Sequence, residues 1–151
     1  MKHFLITLFF SLTLSCDKAE DVIFVIPEGY TGYVVIIYDQ ENGVPEKYEN
    51  GKRIYEVPEN GVLKTQFKAN YGTSHYPEFY YGNIGNNEIP YKPDIKNVST
   101  KDVNAFGGSV GKANKNLAGT EFVSFSLHYI GNEEEIRQAI RKAEMLDISS
   151  L

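Results

Sequence analysis

Two short runs constrain this chain more than anything else in it. Val22 to Ile26 reads VIFVI, and Tyr33 to Tyr38 reads YVVIIY. Each is the length of a strand and rich in β-branched residues. A strand with one wet face alternates polar with apolar residues. These do not alternate, so both faces of each must be covered. Left bare, such segments would aggregate. Between them, PEGYTG turns the chain, with Pro27 presetting φ and Gly29 and Gly32 admitting unusual angles. The two runs therefore read as adjacent strands, and the rest of the chain must cover them.

The following segments supply more strands. Arg53 to Val57 and Val62 to Phe67 read as a hairpin around PENG, with Leu63, Thr65 and Phe67 on one face. The triplet ENG ends at Gly43, Gly51 and Gly61. Asn-Gly tolerates positive φ at both residues, so the triplets are turn chemistry rather than a repeat unit. Tyr76 to Tyr81 reads as a further strand, and Pro77 places it at an edge. Phe122 to Ile130 alternates: Val123, Phe125, Leu127 and Tyr129 face one way, Ser124, Ser126 and His128 the other. The serine and histidine face reads as solvated. GNEEEIRQAIRKAEML is a helix, with Asn132 as its cap and Glu135 completing a capping box. Acids crowd its start and bases its end, as the macrodipole favours. Ile136, Ala139, Ile140, Ala143 and Leu146 form one apolar stripe, expected to pack on the sheet. The expected fold is mainly β, an antiparallel sheet or small β-sandwich, with one C-terminal α-helix.

Between Gly82 and Thr120 the chain is poor in apolar residues and reads as a long loop, with a short helical turn at Ser99 to Asp102. Lysines 92, 96, 101, 112 and 115 outnumber Glu88, Asp94 and Asp102 there, while the whole chain carries −5. Long loops often carry function. Tyr80, Tyr81, Tyr91, Lys92, Lys96 and Phe106 are the candidate binding residues, suited to an acidic partner or a glycan. The 11 tyrosines fit half-buried strands as well as binding surfaces. The acidic balance argues against nucleic acid, which is held by Lys and Arg neutralising phosphate.

Catalytic motifs are weak. GGSVG, Gly107 to Gly111, matches the pattern that places a nucleophilic serine on a strand-to-helix elbow. Ser109 would be the nucleophile and His128 the base, with Asp102 or Glu121 to orient it. No strand run precedes the motif and no helix follows it, so a flexible glycine loop is the plainer expectation. The phosphate-loop spacing fails, because Phe106 and Ala113 stand where glycine and Ser or Thr belong. Beyond Cys16, the candidate transition-metal ligands are His75 and His128 besides carboxylates, too few to expect a metal or any other cofactor. Asp39 to Gly43 reads as an acidic turn rather than a calcium loop.

The chain opens MKHFLITLFFSLTLS, and then comes its one cysteine, Cys16. Lys2 forms a positive start and Phe4 to Leu14 an apolar stretch, too short for a bilayer span and suited to a signal peptide. Thr13-Leu14-Ser15-Cys16 resembles a bacterial lipoprotein signal, with Ser15 and Cys16 on the motif and the leucine one place late. The resemblance implies cleavage before Cys16 and a diacylated sulfur. Two acyl chains give lasting attachment, since each buried CH₂ contributes about 0.8 kcal/mol. The alternative is an ordinary secretory signal that includes a cysteine by chance.

The expected organisation is a signal at 1–15, a lipidated Cys16 with a tether at 16–21, and one β-rich domain over 22–151. The strings IPEGYTGYVVIIYD, IYEVPENGVLKT, YYGN and LHYIGNEEEI resemble a family of uncharacterised bacterial exported proteins. That resemblance implies one domain and carries no activity. The expected function is a lipid-anchored envelope protein that binds rather than catalyses, with a membrane contact through its lipid and an envelope protein or glycan as partner. A small hydrolase using Ser109 or His128 is the alternative. The expected location is the cell envelope, the outer membrane favoured, with leaflet and oligomeric state open.

Overall fold

The computed structural model describes residues 19–72, 74–116 and 118–151. The signal-like segment, Cys16 and the tether residues Asp17 and Lys18 lie outside the described residues. Among the described residues, nine strands form two mixed sheets, followed by one α-helix. The chain is therefore mainly β with a C-terminal helix, as the sequence implies.

The first sheet has β1 (Val22–Ile26) at its interior, parallel on both sides to β4 (Lys52–Glu56) and β6 (Glu78–Tyr81). Its other edge is β3 (Tyr48–Glu49), antiparallel to β4. The β3–β4 turn is made by Asn50 and Gly51, whose φ values of 51° and 76° are those the Asn-Gly pair favours. The strand after Pro77 lies at an edge, as expected.

The second sheet runs in the order β5 (Val62–Lys64), β2 (Gly32–Ile37), β9 (Phe122–Gly131), β8 (Asn104–Asn114), β7 (Tyr91–Lys92). β2 and β8 both run antiparallel to β9, while β5 and β7 join the edges in parallel.

Four expectations are corrected. The two apolar runs are not neighbours: β1 and β2 lie in different sheets, each flanked by strands on both sides. PEGYTG is thus a crossing between layers. Arg53 to Val57 and Val62 to Phe67 do not form a hairpin either, because PENG also carries the chain from one sheet to the other. The stretch from Gly82 to Thr120 holds two strands and a 3-10 turn at Ile95–Asn97, and β8 is the longest strand described. At Ser99 the predicted helical turn is an irregular turn, in which the Ser99 hydroxyl accepts from the Lys101 and Asp102 amides.

Between the sheets lies the main core. Phe24 and Ile26 from β1, Tyr55 from β4 and Phe79 from β6 meet Val34 and Ile36 from β2 and Ile130 from β9. Phe24 and Phe79 stack at 4.5 Å between ring centroids. The other face of the second sheet carries Val35, Ile37 and Val123, joined by Phe125 and Leu127 and by Leu146 and Ile148 from the C-terminal segment.

That outer face is covered by α1 (Glu133–Ala143), which packs on β2 and β9. Its buried residues are Ile136, Ala139 and Ala143, on the predicted stripe. The capping box forms as predicted: Asn132 Oδ1 accepts from the Glu135 amide at 3.1 Å, and the Asn132 amide donates to Glu135 Oε2 at 2.8 Å. Replacing Asn132 by Ala is expected to cost about 1 kcal/mol. Thermal unfolding should show it as a midpoint lower by roughly 3 °C.

Candidate functional site

The C-terminal segment decides which face of β9 is wet. Val123, Phe125 and Leu127 pack with Leu146 and Ile148 on the outer face, where α1 also packs on β2 and β9, so the opposite row points between the sheets. Ser126 and His128 are 1% and 5% exposed, not solvated as the alternation alone suggests. A polar row inside a sandwich needs partners or space. Here it meets both. Tyr71 Oη lies 3.2 Å from Ser124 Oγ, and Tyr38 Oη lies 2.9 Å from Ser126 Oγ. His128 Nδ1, the third position, is buried with no hydrogen-bond partner.

Beside that row is a cleft of about 600 Å³. Its floor includes Phe24, Tyr38, Tyr55, Ser126 and His128. Asn70 to Gly72, Ser74, His75 and Pro77 form one wall, and Tyr91 with Phe106 to Val110 the other. Among the described residues, no lysine, arginine, aspartate or glutamate lines it. For a chain with 35 such residues in 151 this is a marked local neutrality.

The walls are held by specific contacts. Arg53 Nε donates to Glu20 Oε2 at 2.5 Å and Nη1 to the Lys68 carbonyl at 2.6 Å, with the guanidinium 4.7 Å above the Phe67 ring. Glu20 and Asn70 exchange two hydrogen bonds, at 3.0 and 2.7 Å. These bonds tie the start of the described chain to the wall segment, so Ala19 itself lines the cleft. His75, at the rim, pairs with Asp21 at 2.9 Å. Tyr91 stacks parallel to Phe79 at 6.0 Å and donates its hydroxyl to the Gly107 carbonyl at 2.7 Å.

The GGSVG motif has a structural reason. Gly107 pairs with His128 and Ser109 with Leu127, so Gly108 is the extra residue of a β-bulge. Gly107 and Gly108 have φ of 96° and 124°. The motif is part of a strand, not the loop that its glycines suggest. A Cβ on Gly108 would stand 3.2 Å from His128 Cε1, so the glycine makes room for the imidazole.

Burial governs the titratable groups. The His128 imidazole is pushed down to about 3, because its charged form has no water around it. Tyr55 is raised chiefly by burial, with Arg53 opposing it, and its hydroxyl lies near Arg53 and Tyr38 without a well-formed hydrogen bond. Tyr38 is raised by burial against the opposing effect of Ser126. Leaving two such polar groups unsatisfied costs on the order of 1–3 kcal/mol each.

The six residues singled out for binding do not form one surface. Tyr91 and Phe106 line the cleft; Tyr80, Tyr81, Lys92 and Lys96 are not among its lining residues. Tyr81 donates to the Tyr30 carbonyl and Tyr80 to Glu78. Ser109 and His128 do share the cleft. Asp102 is engaged by the Ser99 hydroxyl at 2.9 Å, outside the cleft lining. Tyr38, Tyr55 and Tyr71 were not legible as a group, since they come from three separate segments. Among the described residues no three His, Cys, Asp or Glu side chains cluster to hold a metal ion, and no helix is long and apolar enough to cross a membrane.

Comparison with known proteins gives two matches. Residues 18–134 match the model of a family of unknown function, DUF6843. The fold resembles the crystal structure of a Bacillus anthracis protein provisionally described as a lipoprotein. The two share 18% identity with a TM-score of 0.52, over 73% of this chain and 68% of that one. No curated protein matches.

Proposed function

The chain belongs to the DUF6843 family, whose function is unknown, and from that premise we propose a lipid-anchored envelope protein that acts by binding a small ligand between its two sheets. The observation that carries the reading is the cleft between the sheets, which among the described residues is lined by aromatic and hydroxyl side chains and by no charged one. Its volume of about 600 Å³ suits a small molecule. The anchor is supported by the Ser15-Cys16 signal and by the likeness in fold to a protein provisionally described as a lipoprotein. Neither the family nor that neighbour points to the outer membrane, so the anchor is assigned to an envelope membrane only.

We read the module as non-catalytic. Ser109 and His128 share the cleft, which is what favours a hydrolase. A general base must accept a proton near working pH. An imidazole held down near 3 by burial is a poor acceptor at neutral pH. Among the described residues no carboxylate lines the cleft to orient it.

The anchor is tested by feeding cells an alkyne analogue of palmitate and comparing wild type with Cys16→Ala. The expected result is label on the wild type and none on the variant. An unlabelled wild type would remove the lipid from the proposal, leaving an ordinary exported binding protein.

A further inference from the structure

We propose that the cleft between the sheets takes a neutral saccharide, one or two rings in size. This deepens the binding reading above and rests on it. Three features of the cleft select the class.

Charge comes first. Among the described residues the lining has no Lys, Arg, Asp or Glu. A charged ligand would lose its hydration there and gain no opposite charge, which is costly. The two histidines do not change this. His128 is buried beside Phe24, with ring centroids 4.4 Å apart, and His75 at the rim is paired with Asp21. The ligand is therefore uncharged.

Amphipathy comes second. Four tyrosines, Tyr38, Tyr55, Tyr71 and Tyr91, line the cleft together with Phe24 and Phe106. They offer ring faces and hydroxyls side by side. A sugar ring has the same double character, with C–H groups on its faces and hydroxyls around its edge. A purely apolar guest such as an acyl chain would strip water from the exposed hydroxyls of Tyr71, Ser74 and Ser109 that line the cleft. A hydroxyl can both donate and accept, so one ligand type can replace that water at each of them.

Strand geometry comes third. A peptide guest would be expected to add to the free edge of β8, which beyond Phe106 has no partner strand described. That edge carries the bulge at Gly107 and Gly108 where it borders the cleft, and exposed Lys112 follows. Bulges and lysines are how proteins block strand addition. The site favours a compact guest over an extended one.

Position adds the source. Ala19 lines the cleft, and Cys16 precedes it by three residues. Three residues span at most about 11 Å. With Cys16 lipidated, the cleft is held against the membrane surface, so the saccharide is met there, as a glycolipid headgroup or as a glycan chain reaching the bilayer.

The test uses the full lipidated protein, extracted in a detergent without a sugar headgroup. Ligand-observed NMR is run with methyl glucoside, methyl mannoside, N-acetylglucosamine and cellobiose, and with glucuronate as the charged control. The expected result is saturation transfer to at least one neutral sugar, with affinity at least tenfold above that for glucuronate. Ser109→Trp places a large ring on the exposed wall strand and should weaken binding at least tenfold while thermal unfolding stays unchanged. Tyr71→Ala, on the exposed rim, is the second variant and should weaken it several-fold.

No transfer to any neutral sugar overturns the proposal. So does equal affinity for glucuronate, or binding that survives both variants. A glycolipid bearing the best sugar, presented in phosphatidylcholine vesicles, separates the two sources: tighter binding in vesicles than to the free sugar identifies the headgroup, and equal binding identifies the glycan chain. Palmitate labelling is read independently, so loss of the anchor and loss of the saccharide reading remain distinguishable.

Discussion

Lowering the pH from 7.5 to 5 is expected to reduce the stability of the fold by about 2 kcal/mol through His128 alone. The imidazole titrates near 6.5 in an unfolded chain and near 3 in the folded one. The unfolded state therefore binds the extra proton throughout that interval. Stability is fully present above about 6.5 and is lost as the pH falls toward 3, at up to about 1.4 kcal/mol per unit. The surroundings explain why nothing offsets the loss. Phe24 and Phe79 rings lie 4.4 and 5.6 Å away, Gly108 is adjacent, and among the described residues no carboxylate lines the cleft. Urea unfolding at both pH values, on wild type and on His128→Leu, measures the effect. The difference between the two proteins should shrink or reverse by about 2 kcal/mol at pH 5. An unchanged difference would mean that the imidazole reaches water or a partner in the folded state. Glu78 does not confuse the interval. Its carboxyl is lowered by Lys52, so its contribution is lost only as the pH falls below the ordinary carboxylate range.

Local chemistry was legible in the sequence, and long-range pairing was not. The Asn132 cap, the Asn50-Gly51 turn and the edge position after Pro77 each depend on a few adjacent residues. Sequence reading recovers such features because the physical cause is itself local. The fully apolar runs at Val22 and Tyr33 correctly announced strands covered on both faces. Which sheet each joined depends on partners tens of residues away, and short turns between them suggested neighbours. A crossing between layers uses the same Pro and Gly chemistry as a hairpin.

The cleft was half legible for a related reason. The alternation of Ser124, Ser126 and His128 was plain, but its direction was not. An alternating strand shows two faces without saying which is wet. The deciding elements are α1, which follows β9 directly, and the segment after it, both on the outer face. Once Leu146 and Ile148 claim Val123, Phe125 and Leu127, the polar row has only the interior left. The tyrosines then converge from three separate segments, through sheet pairing that periodicity does not encode.

The glycines of GGSVG give the largest mutational contrast expected in this chain. Gly107→Ala should destabilise the fold by about 3 kcal/mol, combining the cost of a left-handed φ with that of overpacking. Its φ is 96°, and an added Cβ would stand 2.9 Å from the Leu127 carbonyl oxygen, which is backbone and cannot swing away. Ser109→Ala should change stability by less than about 0.5 kcal/mol, since that side chain is exposed on the strand. The two readings of the motif differ here. A bulge needs its glycines and is indifferent to the serine. A nucleophile elbow needs the serine for activity and both glycines for its turn. Urea unfolding of the two variants separates the stability effects. A neutral Gly107→Ala would mean that β8 can straighten, so the bulge would no longer explain why this glycine stands beside the cleft. A large loss at Gly107 with none at Ser109 is what the bulge requires, and identifies the glycines as a device for bringing His128 close to backbone that has no side chain.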